Sequence, residues 1–377
     1  MKIAFITNIC THFLVKPFEI LATKYKVDFY FTGGQEKYWE KKNKLWFGNF
    51  NGKYLKGFFI LPKIKITLGL PNLLFKKYDV IIKSIDDRFA LPVSFLFSKL
   101  FRKPFILWTG IWAYPETFFH KISYVFTRYI YRHSDAIVVY GDHVRRYLVG
   151  LGIPDEKIFY AWQTVDNEIF NKCVSNEEKL ELKKRLGVTR GKVILYVGRL
   201  EEEKGFRYLI DAVSTIKDLL VNLLFIGEGT LRTELEEKCK KIDVKYHFAS
   251  HIQNVELYKY YALADVFILP SISTKTFKEP WGLVINEAMN QGCPIVATDS
   301  VGAAVGGLVQ NGKNGFVVPE KDSIRLKEGI ECILKDEKLA NRMGECSREI
   351  IKNWTYPRMV NGFCEAVEYA VTKERKK

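Results

Sequence analysis

Short apolar runs rich in β-branched and aromatic residues alternate along the chain with longer amphipathic stretches. This alternation is typical of parallel sheets that are covered by helices on both faces. In the first half it predicts strands at 2–7, 27–31, 80–83, 105–108, 136–140 and 158–161, and helices at 93–101 and 118–131. In the second half it predicts strands at 193–197, 223–226, 266–269 and 294–297, whereas 33–69 shows no clean periodicity.

The length of 377 residues exceeds what a single hydrophobic core usually organises, since domains average about 150 residues. A polar, charged stretch at 171–190 separates the two sets of predicted strands. We therefore expect one Rossmann-like domain over 1–170 and a second over 171–355. In such sheets, ligands bind at the carboxyl ends of the strands, here in the crevice between the domains.

The positive charge of the chain is concentrated in its first half. The whole sequence has 58 basic and 43 acidic side chains, and residues 1–170 contain 25 basic and 14 acidic ones, a net charge of +11. Such a surface favours nucleic acid, anionic lipid or phosphorylated substrates. In LFKKYDVIIK and SFLFSKLFRKPF, cations stand beside large apolar groups, which is typical of an interfacial segment but also of a buried face edged by lysines.

The cysteines and the apolar runs bear on the compartment. Seven widely spaced cysteines contain no C-x-x-C pair, which indicates a reducing environment. No run approaches the roughly 20 apolar residues that span a bilayer, and the apolar run at the start is too short for a signal peptide. We expect a cytoplasmic protein, with an anionic membrane surface as an open possibility for its partner.

The predicted strand at 193–197 leads into the turn sequence GRLEEEKG at 198–205. Gly198 allows close approach of the backbone, and Arg199 and Lys204 bring two cations to one turn, which suits a diphosphate. The alternative is a solvated charged loop, because three glutamates lie between the two cations. From this motif alone, both interpretations stay open.

A second candidate is KEPWGLVINEAMNQGCP at 278–294. The amides of Gly282, Leu283 and Val284 open a predicted helix, lack partners within it and form an anion site. Glu279 precedes this helix and Glu287 lies more than one turn along it. Two carboxylates that flank a phosphate site would suit the ribose and the sugar of a nucleoside diphosphate sugar. Taken alone, the pair could equally be a loop residue and a helix-surface residue.

These two motifs occur in a fixed order with FIGEGTLRTEL, ALADVFILPS, GCPIVATDSVGAAVGG and NGKNGFVVPEKD. In this order the chain resembles the retaining glycosyltransferases of GT-B fold, specifically glycosyltransferase family 4. The resemblance is strong over 193–334, looser over DAIVVYGDHVRRYL and AWQTVD, and weak before them. It implies an α/β fold of two doubly wound Rossmann-like domains that face each other across a cleft, with the acceptor bound by the first and a C-terminal helix at 356–377 returning to that domain.

The resemblance also implies an activity and a set of site residues. The activity is transfer of a sugar from a UDP- or GDP-sugar to an acceptor hydroxyl, with retained anomeric configuration, no cofactor and no required metal. Arg199 and Lys204 would neutralise the departing diphosphate, where charge develops in the transition state. Glu279 would hold the donor hexose and Glu287 the ribose. The other implied donor contacts are Gly198, Ser250, His251, Ile252, Trp281, Gly282, Leu283 and Val284.

On the acceptor side the chain departs from the family pattern. Gly110 stands near the position where many members have a histidine, and the nearby Glu116 and His120 are candidate substitutes for a catalytic group. The alternatives are a carboxylate at a helix start for Glu116 and an ordinary surface residue for His120. The ring of Trp281 could either wall the sugar pocket or pack the loop.

The principal prediction is a hexosyltransferase of polysaccharide or glycolipid biosynthesis, with a glycan or a polyprenyl-linked acceptor. One alternative is a nucleotide-sugar 2-epimerase, which resembles the same fold but lacks the glutamate pair in this form. Another is a basic nucleic-acid-binding protein. No nucleic-acid-binding module is recognisable in the sequence, so nucleic acid is not expected as a partner.

Overall fold

The computed structural model describes residues 1–33, 48–61, 64–75, 77–113, 117–242, 244–249 and 252–375. Two compact units are present in it. Of the described residues, unit 1 holds those within 1–113, 118–164 and 356–375, and unit 2 holds Thr117 and those within 165–355. The C-terminal helix therefore belongs to unit 1, although unit 2 precedes it in the sequence.

Unit 1 contains a parallel sheet and a separate antiparallel hairpin. Its strands are β1 (Lys2–Thr7), β2 (Lys26–Phe31), β3 (Asn51–Tyr54), β4 (Gly57–Leu61), β5 (Ile64–Thr67), β6 (Val80–Ser84), β7 (Phe105–Thr109), β8 (Ala136–Val139) and β9 (Ile158–Tyr160). Among the described residues, the parallel sheet has the order β3-β2-β1-β6-β7-β8-β9, and β4 pairs with β5 to form the hairpin. The helices that follow these strands are α1 (His12–Lys24), α2 (Leu70–Leu74), α3 (Ala90–Leu100), α4 (Phe118–His133) and α5 (Asp142–Gly150).

Apolar side chains cover both faces of the unit 1 sheet. On one face, Phe5 lies 5.1 Å from Phe18 of α1 and 5.4 Å from Phe363 of the C-terminal helix, measured between ring centroids. On the other face, Phe95 of α3 lies 5.3 Å from Phe105 of β7. The central strands are buried on both faces, which explains why they read as continuous apolar runs in the sequence.

Unit 2 contains a second parallel sheet. Its strands are β10 (Lys192–Val197), β11 (Val221–Ile226), β12 (Lys245–Ala249), β13 (Val266–Leu269), β14 (Ile295–Thr298) and β15 (Gly315–Val318), in the order β12-β11-β10-β13-β14-β15. The helices are α6 (Asn167–Phe170), α7 (Asn176–Leu186), α8 (Phe206–Ser214), α9 (Arg232–Lys240), α10 (Leu257–Tyr261), α11 (Leu283–Asn290), α12 (Gly302–Val305), α13 (Ser323–Lys335) and α14 (Glu337–Ile351). The last helix of the chain is α15 (Tyr356–Arg375) in unit 1.

Local sequence signals account for the ends of several helices. Ser175 and Glu178 form a reciprocal capping box at the start of α7, in which each side chain accepts from the backbone amide of the other. The same helix ends at Gly187, which has a left-handed φ of 69° that favours glycine.

The predicted fold class is confirmed, because both units are parallel α/β sheets of Rossmann type. Every predicted strand in both halves coincides with an observed one to within two residues at each end. The predicted helix at 93–101 begins three residues earlier than expected, at Ala90.

Candidate functional site

In unit 2, the predicted binding residues that follow β10 and β13 lie where the strand order of the sheet reverses. The chain leaves β10 toward β11 on one side and reaches β13 on the other, so the carboxyl ends of β10 and β13 border the crevice in which parallel sheets bind ligands. Gly198 and Arg199 directly follow β10. Ser271 lies two residues beyond the end of β13. Both ends of this crevice are therefore lined by loops rich in polar groups.

The segment after β10 brings Lys204 into this crevice. A 3-10 turn at Glu202–Lys204 ends at Gly205, whose φ of 68° is left-handed and which precedes α8. A Cβ added at Gly205 would lie 2.1 Å from the carbonyl oxygen of Pro270, so the turn is pressed against the loop that follows β13. Only glycine fits this approach without displacing the backbone. The two loops are therefore in direct contact.

Lys204 and Glu279, 75 residues apart in sequence, form an ion pair in this contact. Their exposed fractions are 8% and 9%, and the hydroxyl of Ser271 donates to the same carboxylate at 3.2 Å. Phe277 covers the ammonium group, with its ring centroid 5.5 Å from Nζ. A buried ion pair is held only with good partners, because desolvation costs several kcal/mol per ion. The pair is thus a preorganised cation and carboxylate at the edge of the sheet.

Arg199 lies in the same turn but is more open to solvent. Its guanidinium donates to Glu203 at 2.7 Å, and its side chain is 41% exposed. The hydroxyl of Tyr196 donates to the Arg199 carbonyl at 2.8 Å and so fixes the backbone at the end of β10. An arginine held by one such contact can exchange its glutamate for an incoming phosphate, which a guanidinium can bind with two parallel N–H donors.

The start of α11 forms the other side of the crevice. Gly282 precedes the helix with a φ of 98°, and a Cβ there would lie 2.7 Å from Cδ2 of Leu269. Gly282, Leu283 and Val284 are all partly exposed. Because the first amides of a helix have no partner within it, this end can bind an anion.

Trp281 packs inward beside this helix start. It is 3% exposed, and its indole N–H donates at 2.8 Å to Oδ1 of the fully buried Asn286. The indole hydrogen bond holds the ring against α11 beside the turn that carries Gly282, and its role in walling the sugar pocket stays a prediction.

Glu287 differs from Glu279 in its surroundings. It lies on α11 with 7% exposure, and the hydroxyl of Tyr261 donates to its carboxylate at 2.6 Å. Burial raises the pKa of Glu287 to about 7, although the Tyr261 hydrogen bond opposes the rise. Glu287 is therefore not an ordinary helix-surface residue. The two glutamates therefore differ in their partners: Glu279 pairs with the buried Lys204, whereas Glu287 accepts from the hydroxyl of Tyr261.

The structure describes some of the remaining predicted site residues and not others. Ile252 is half-buried and follows β12 by three residues. Ser250, His251 and Glu116 lie outside the described residues. The backbone of His120 lies in α4 of unit 1. Ser271 and Tyr261, which hold the two glutamates, were not among the predicted site residues; the position of Ser271 just after a buried strand was the available signal.

Residues 178–350 match the profile of the family described as glycosyl transferases group 1. The chain is 30% identical over 234 residues to an uncharacterized glycosyltransferase of Methanocaldococcus jannaschii, covering 60% of this chain and 57% of the relative. It is 27% identical over 243 residues to the sulfoquinovosyl transferase SQD2 of Arabidopsis thaliana, covering 63% of this chain and 45% of the relative. The chain thus spans about half the length of the curated relatives it matches.

The fold has solved counterparts over nearly the whole chain. Anabaena HepE, crystallised in complex with UDP, superposes with a TM-score of 0.78 at 20% identity, covering 98% of this chain and 100% of that protein. The same Anabaena protein has been solved with UDP-glucose. These neighbours show the GT-B fold, and the family match and the named relatives favour a glycosyltransferase over the epimerase and nucleic-acid alternatives.

Proposed function

We propose that this protein is a glycosyltransferase that moves a sugar from a nucleoside diphosphate sugar to a hydroxyl of a glycan or polyprenyl-linked acceptor. The observation that carries the proposal is the buried pair of Lys204 and Glu279 at the strand-order reversal of unit 2, next to the helix start at Gly282. A single crevice holds one cation, one carboxylate and one anion site made of amides. This set of groups suits a ligand that has phosphates at its centre and hydroxyls beyond them.

Each group has a role in the proposed transfer. Lys204, Arg199 and the amides that begin α11 stabilise the negative charge that develops on the leaving diphosphate. These groups supply the positive charge at the leaving group, so the proposed reaction requires no metal ion. Glu279 accepts hydrogen bonds from the hydroxyls of the donor hexose, and Glu287 accepts them from the ribose.

The proposed reaction retains the anomeric configuration of the donor. This part of the proposal follows the order of motifs along 193–334, which resembles retaining enzymes of GT-B fold. Proton NMR of the first product formed will report the configuration directly. An inverted anomeric centre would contradict retention while leaving the donor site intact.

The proposed donor is tested by thermal unfolding with a panel of nucleoside diphosphates and their sugars. A ligand at about 100 times its dissociation constant stabilises the folded state by about 2.7 kcal/mol. UDP and UDP-glucose are the first probes, because a structural neighbour was solved with both. Chelation of divalent ions by EDTA should leave binding and transfer unchanged.

A matched pair of lysine variants locates the binding site. Lys204→Met should lower the affinity for the best nucleoside diphosphate about 100-fold. Lys192→Met is the control, because Lys192 lies at the opposite end of β10 and pairs with Asp265 at 3.1 Å. Equal affinities for the two variants would place the diphosphate elsewhere.

We also propose that unit 1 associates with an anionic membrane surface. Leu96 and Leu100 on α3 are 64% and 68% exposed, and Val125 and Phe126 on α4 are 74% and 46% exposed. The two helices are neighbours, since the ring centroids of Phe95 and Tyr129 are 6.0 Å apart. Such exposed apolar rows mark contact surfaces rather than ordinary solvated faces.

Charge supports a lipid partner for these rows. Lys99, Arg102, Lys121 and Arg132 are exposed on or directly beside the same two helices. Basic groups that edge an apolar face favour anionic headgroups by about 1 kcal/mol each. Among the described residues, no helix is both long and apolar enough to cross a bilayer.

Cosedimentation with vesicles tests this surface. The full chain should bind phosphatidylcholine vesicles that contain phosphatidylglycerol, and the double variant Leu96→Glu, Leu100→Glu should not. Leu180→Glu is the control, because Leu180 is 50% exposed on α7 of unit 2. Equal sedimentation of both variants, or no preference for anionic vesicles at low salt, would refute the membrane proposal.

A further inference from the structure

Unit 1 carries an antiparallel hairpin that is separate from its parallel sheet. Its strands are β4 (Gly57–Leu61) and β5 (Ile64–Thr67), and among the described residues these two strands form a sheet of their own. Three consecutive residues of β4 are exposed although they are large and apolar: Phe58 by 53%, Phe59 by 50% and Ile60 by 58%. Contiguous apolar surface of this kind marks a contact surface.

The base of the hairpin is attached to the end of β2. Lys65 of β5 is 9% exposed, and its ammonium donates to the carbonyl oxygens of Thr32 at 2.6 Å and Leu55 at 3.3 Å. After β5, the amide of Leu68 donates to the carbonyl oxygen of Lys56 at 2.8 Å. The exposed residues of β4 therefore belong to a hairpin whose base is buried and hydrogen-bonded.

The hairpin exposes aromatic rings on both of its faces. Phe58 pairs with Ile66, and the next residue, Phe59, pairs with Lys65. Because successive side chains of a strand point to opposite faces, the rings of Phe58 and Phe59 lie on opposite sides of the hairpin. A protein partner covers one face of such a ribbon, whereas a bilayer surrounds the end that enters it. Exposure on both faces therefore favours lipid.

The charge around the hairpin favours an anionic bilayer. Residues 51–75 contain four lysines and no acidic residue. Two of these lysines, Lys53 and Lys56, are exposed on the segment that leads into β4. Cations beside an inserted apolar element lie at the level of the headgroups, where they are attracted to anionic lipid.

Further exposed apolar residues connect the hairpin to α3. Leu68, which follows β5, is 54% exposed, and Phe75, which follows α2, is 61% exposed. The ring centroid of Phe75 lies 5.2 Å from that of Phe97 on α3 and 5.3 Å from that of Phe101. The hairpin is therefore continuous with the helix surface that is proposed above to contact a membrane.

The backbone limits how deeply the hairpin can enter a bilayer. A two-stranded sheet has amide and carbonyl groups on its two outer edges that no strand pairs, and such groups are costly in hydrocarbon. The backbone therefore stays among the headgroups while the side chains reach the acyl chains. This is the depth of an interfacial element, about 5–10 Å into the boundary between headgroups and acyl chains.

We propose that the hairpin of β4 and β5 inserts Phe58, Phe59 and Ile60 into the boundary between the headgroups and the acyl chains of an anionic bilayer. The helices α3 and α4 lie on the surface of the same bilayer, and the hairpin is the element that penetrates it. This insertion rests on the membrane association proposed for unit 1 and does not depend on the sugar transfer.

Cosedimentation followed by a salt wash tests the insertion. The protein is bound at low salt to phosphatidylcholine vesicles that contain phosphatidylglycerol. The pellet is then washed at about 1 M salt, which reduces the screening length of exposed charges to about 3 Å. The unaltered full chain should stay in the pellet, because salt does not screen the burial of apolar side chains. The triple variant Phe58→Ser, Phe59→Ser, Ile60→Ser should be released, with a partition constant about 100-fold lower.

A matched triple variant in unit 2 is the control. Leu180→Ser, Leu220→Ser and Ile324→Ser replace apolar residues that are 50%, 51% and 71% exposed, and they should leave the salt-resistant binding unchanged. Both triple variants should unfold cooperatively in urea at midpoints close to that of the unaltered protein, since all six side chains are at least half exposed. Injected beneath an anionic lipid monolayer, the control should raise the surface pressure and the hairpin variant should not.

The possible outcomes separate the insertion from the proposed function. No binding of the unaltered protein to anionic vesicles would refute the membrane association of unit 1 and the insertion together. Full release of the unaltered protein by the salt wash, or equal retention of the two triple variants, would overturn the insertion and leave the surface of α3 and α4 in place. A dimer in solution that the hairpin variant converts to a monomer would assign the exposed rings to a second copy of the chain and would also overturn the insertion.

Discussion

Replacing Glu287 by glutamine tests the difference in environment between the two glutamates of unit 2. Glu287 is 7% exposed and accepts from Tyr261 at 2.6 Å, and its burial raises its pKa from 4.5 to about 7. Glutamine keeps an oxygen for the Tyr261 hydroxyl and carries no charge at any pH. The variant therefore removes the titration while it keeps the shape of the side chain.

The sign of the pH effect follows from proton binding. Between about pH 4.5 and 7, the folded protein holds the proton of Glu287 while the unfolded chain has released it. The free energy of unfolding of the unaltered protein must therefore fall as pH rises through this window. One pKa unit corresponds to about 1.4 kcal/mol, so the shift predicts a loss of about 3 kcal/mol that is complete above pH 7. Glu287→Gln should not show this loss.

Urea unfolding of both proteins at a series of pH values from 4 to 8 measures the difference. From pH 4 to pH 8, we expect the free energy of unfolding of the variant to rise by about 3 kcal/mol relative to that of the unaltered protein. A constant offset caused by the buried amide does not change this difference. At pH 8 it should also bind the nucleoside diphosphate less tightly, because an amide accepts more weakly than a carboxylate from ribose hydroxyls. Parallel pH curves for the two proteins would refute the raised pKa of the buried Glu287.

Three further substitutions test the local structure. Gly205→Ala should lower the free energy of unfolding by more than about 1 kcal/mol, because the φ is 68° and the added Cβ would lie 2.1 Å from the Pro270 oxygen. Gly150→Ala is the control, since its added Cβ enters open space and should not lower that free energy. Equal urea midpoints for the two variants would contradict the close approach at Gly205. Ser175→Ala should cost about 1 kcal/mol by removing the cap of α7, and an unchanged midpoint would show that the cap contributes nothing. Tyr261→Phe should raise the pKa of Glu287 further, because the hydroxyl lowers it; an unchanged pKa by carbon-13 NMR would speak against that hydrogen bond.

The sequence predicts the strands of the central sheets well because burial on both faces leaves a plain apolar run. β1 and β13 are predicted with their observed ends, since Asn8 follows the first strand and Asp265 and Pro270 flank the second. β15 is not predicted, because it begins with Gly315, a residue that is unfavourable in strands by itself and is required here since a Cβ would lie 2.0 Å from the Ile295 carbonyl oxygen. Such a strand is set by its neighbour β14 rather than by its own pattern.

The site was predicted as a set of residue types, and its pairing was not. No local pattern joins Lys204 to Glu279 across 75 positions, because their contact depends on β10 and β13 being neighbours in the sheet. The burial of Glu287 is likewise hidden, since its helix also carries polar residues and the contact with Tyr261 joins positions 26 residues apart. In unit 1, Lys83 ends a predicted strand in LFKKYDVIIK, a segment that suits an interface or a buried face edged by lysines, and the structure buries it completely.

The central claim is that unit 2 binds a nucleoside diphosphate sugar at the carboxyl ends of β10 and β13. A crystal structure of the full chain with the nucleoside diphosphate that stabilises it most tests this directly. We expect phosphate oxygens within hydrogen-bond distance of Lys204, Arg199 and the amides at 282–284, with the ribose beside Glu287. A diphosphate bound away from these groups would contradict the account.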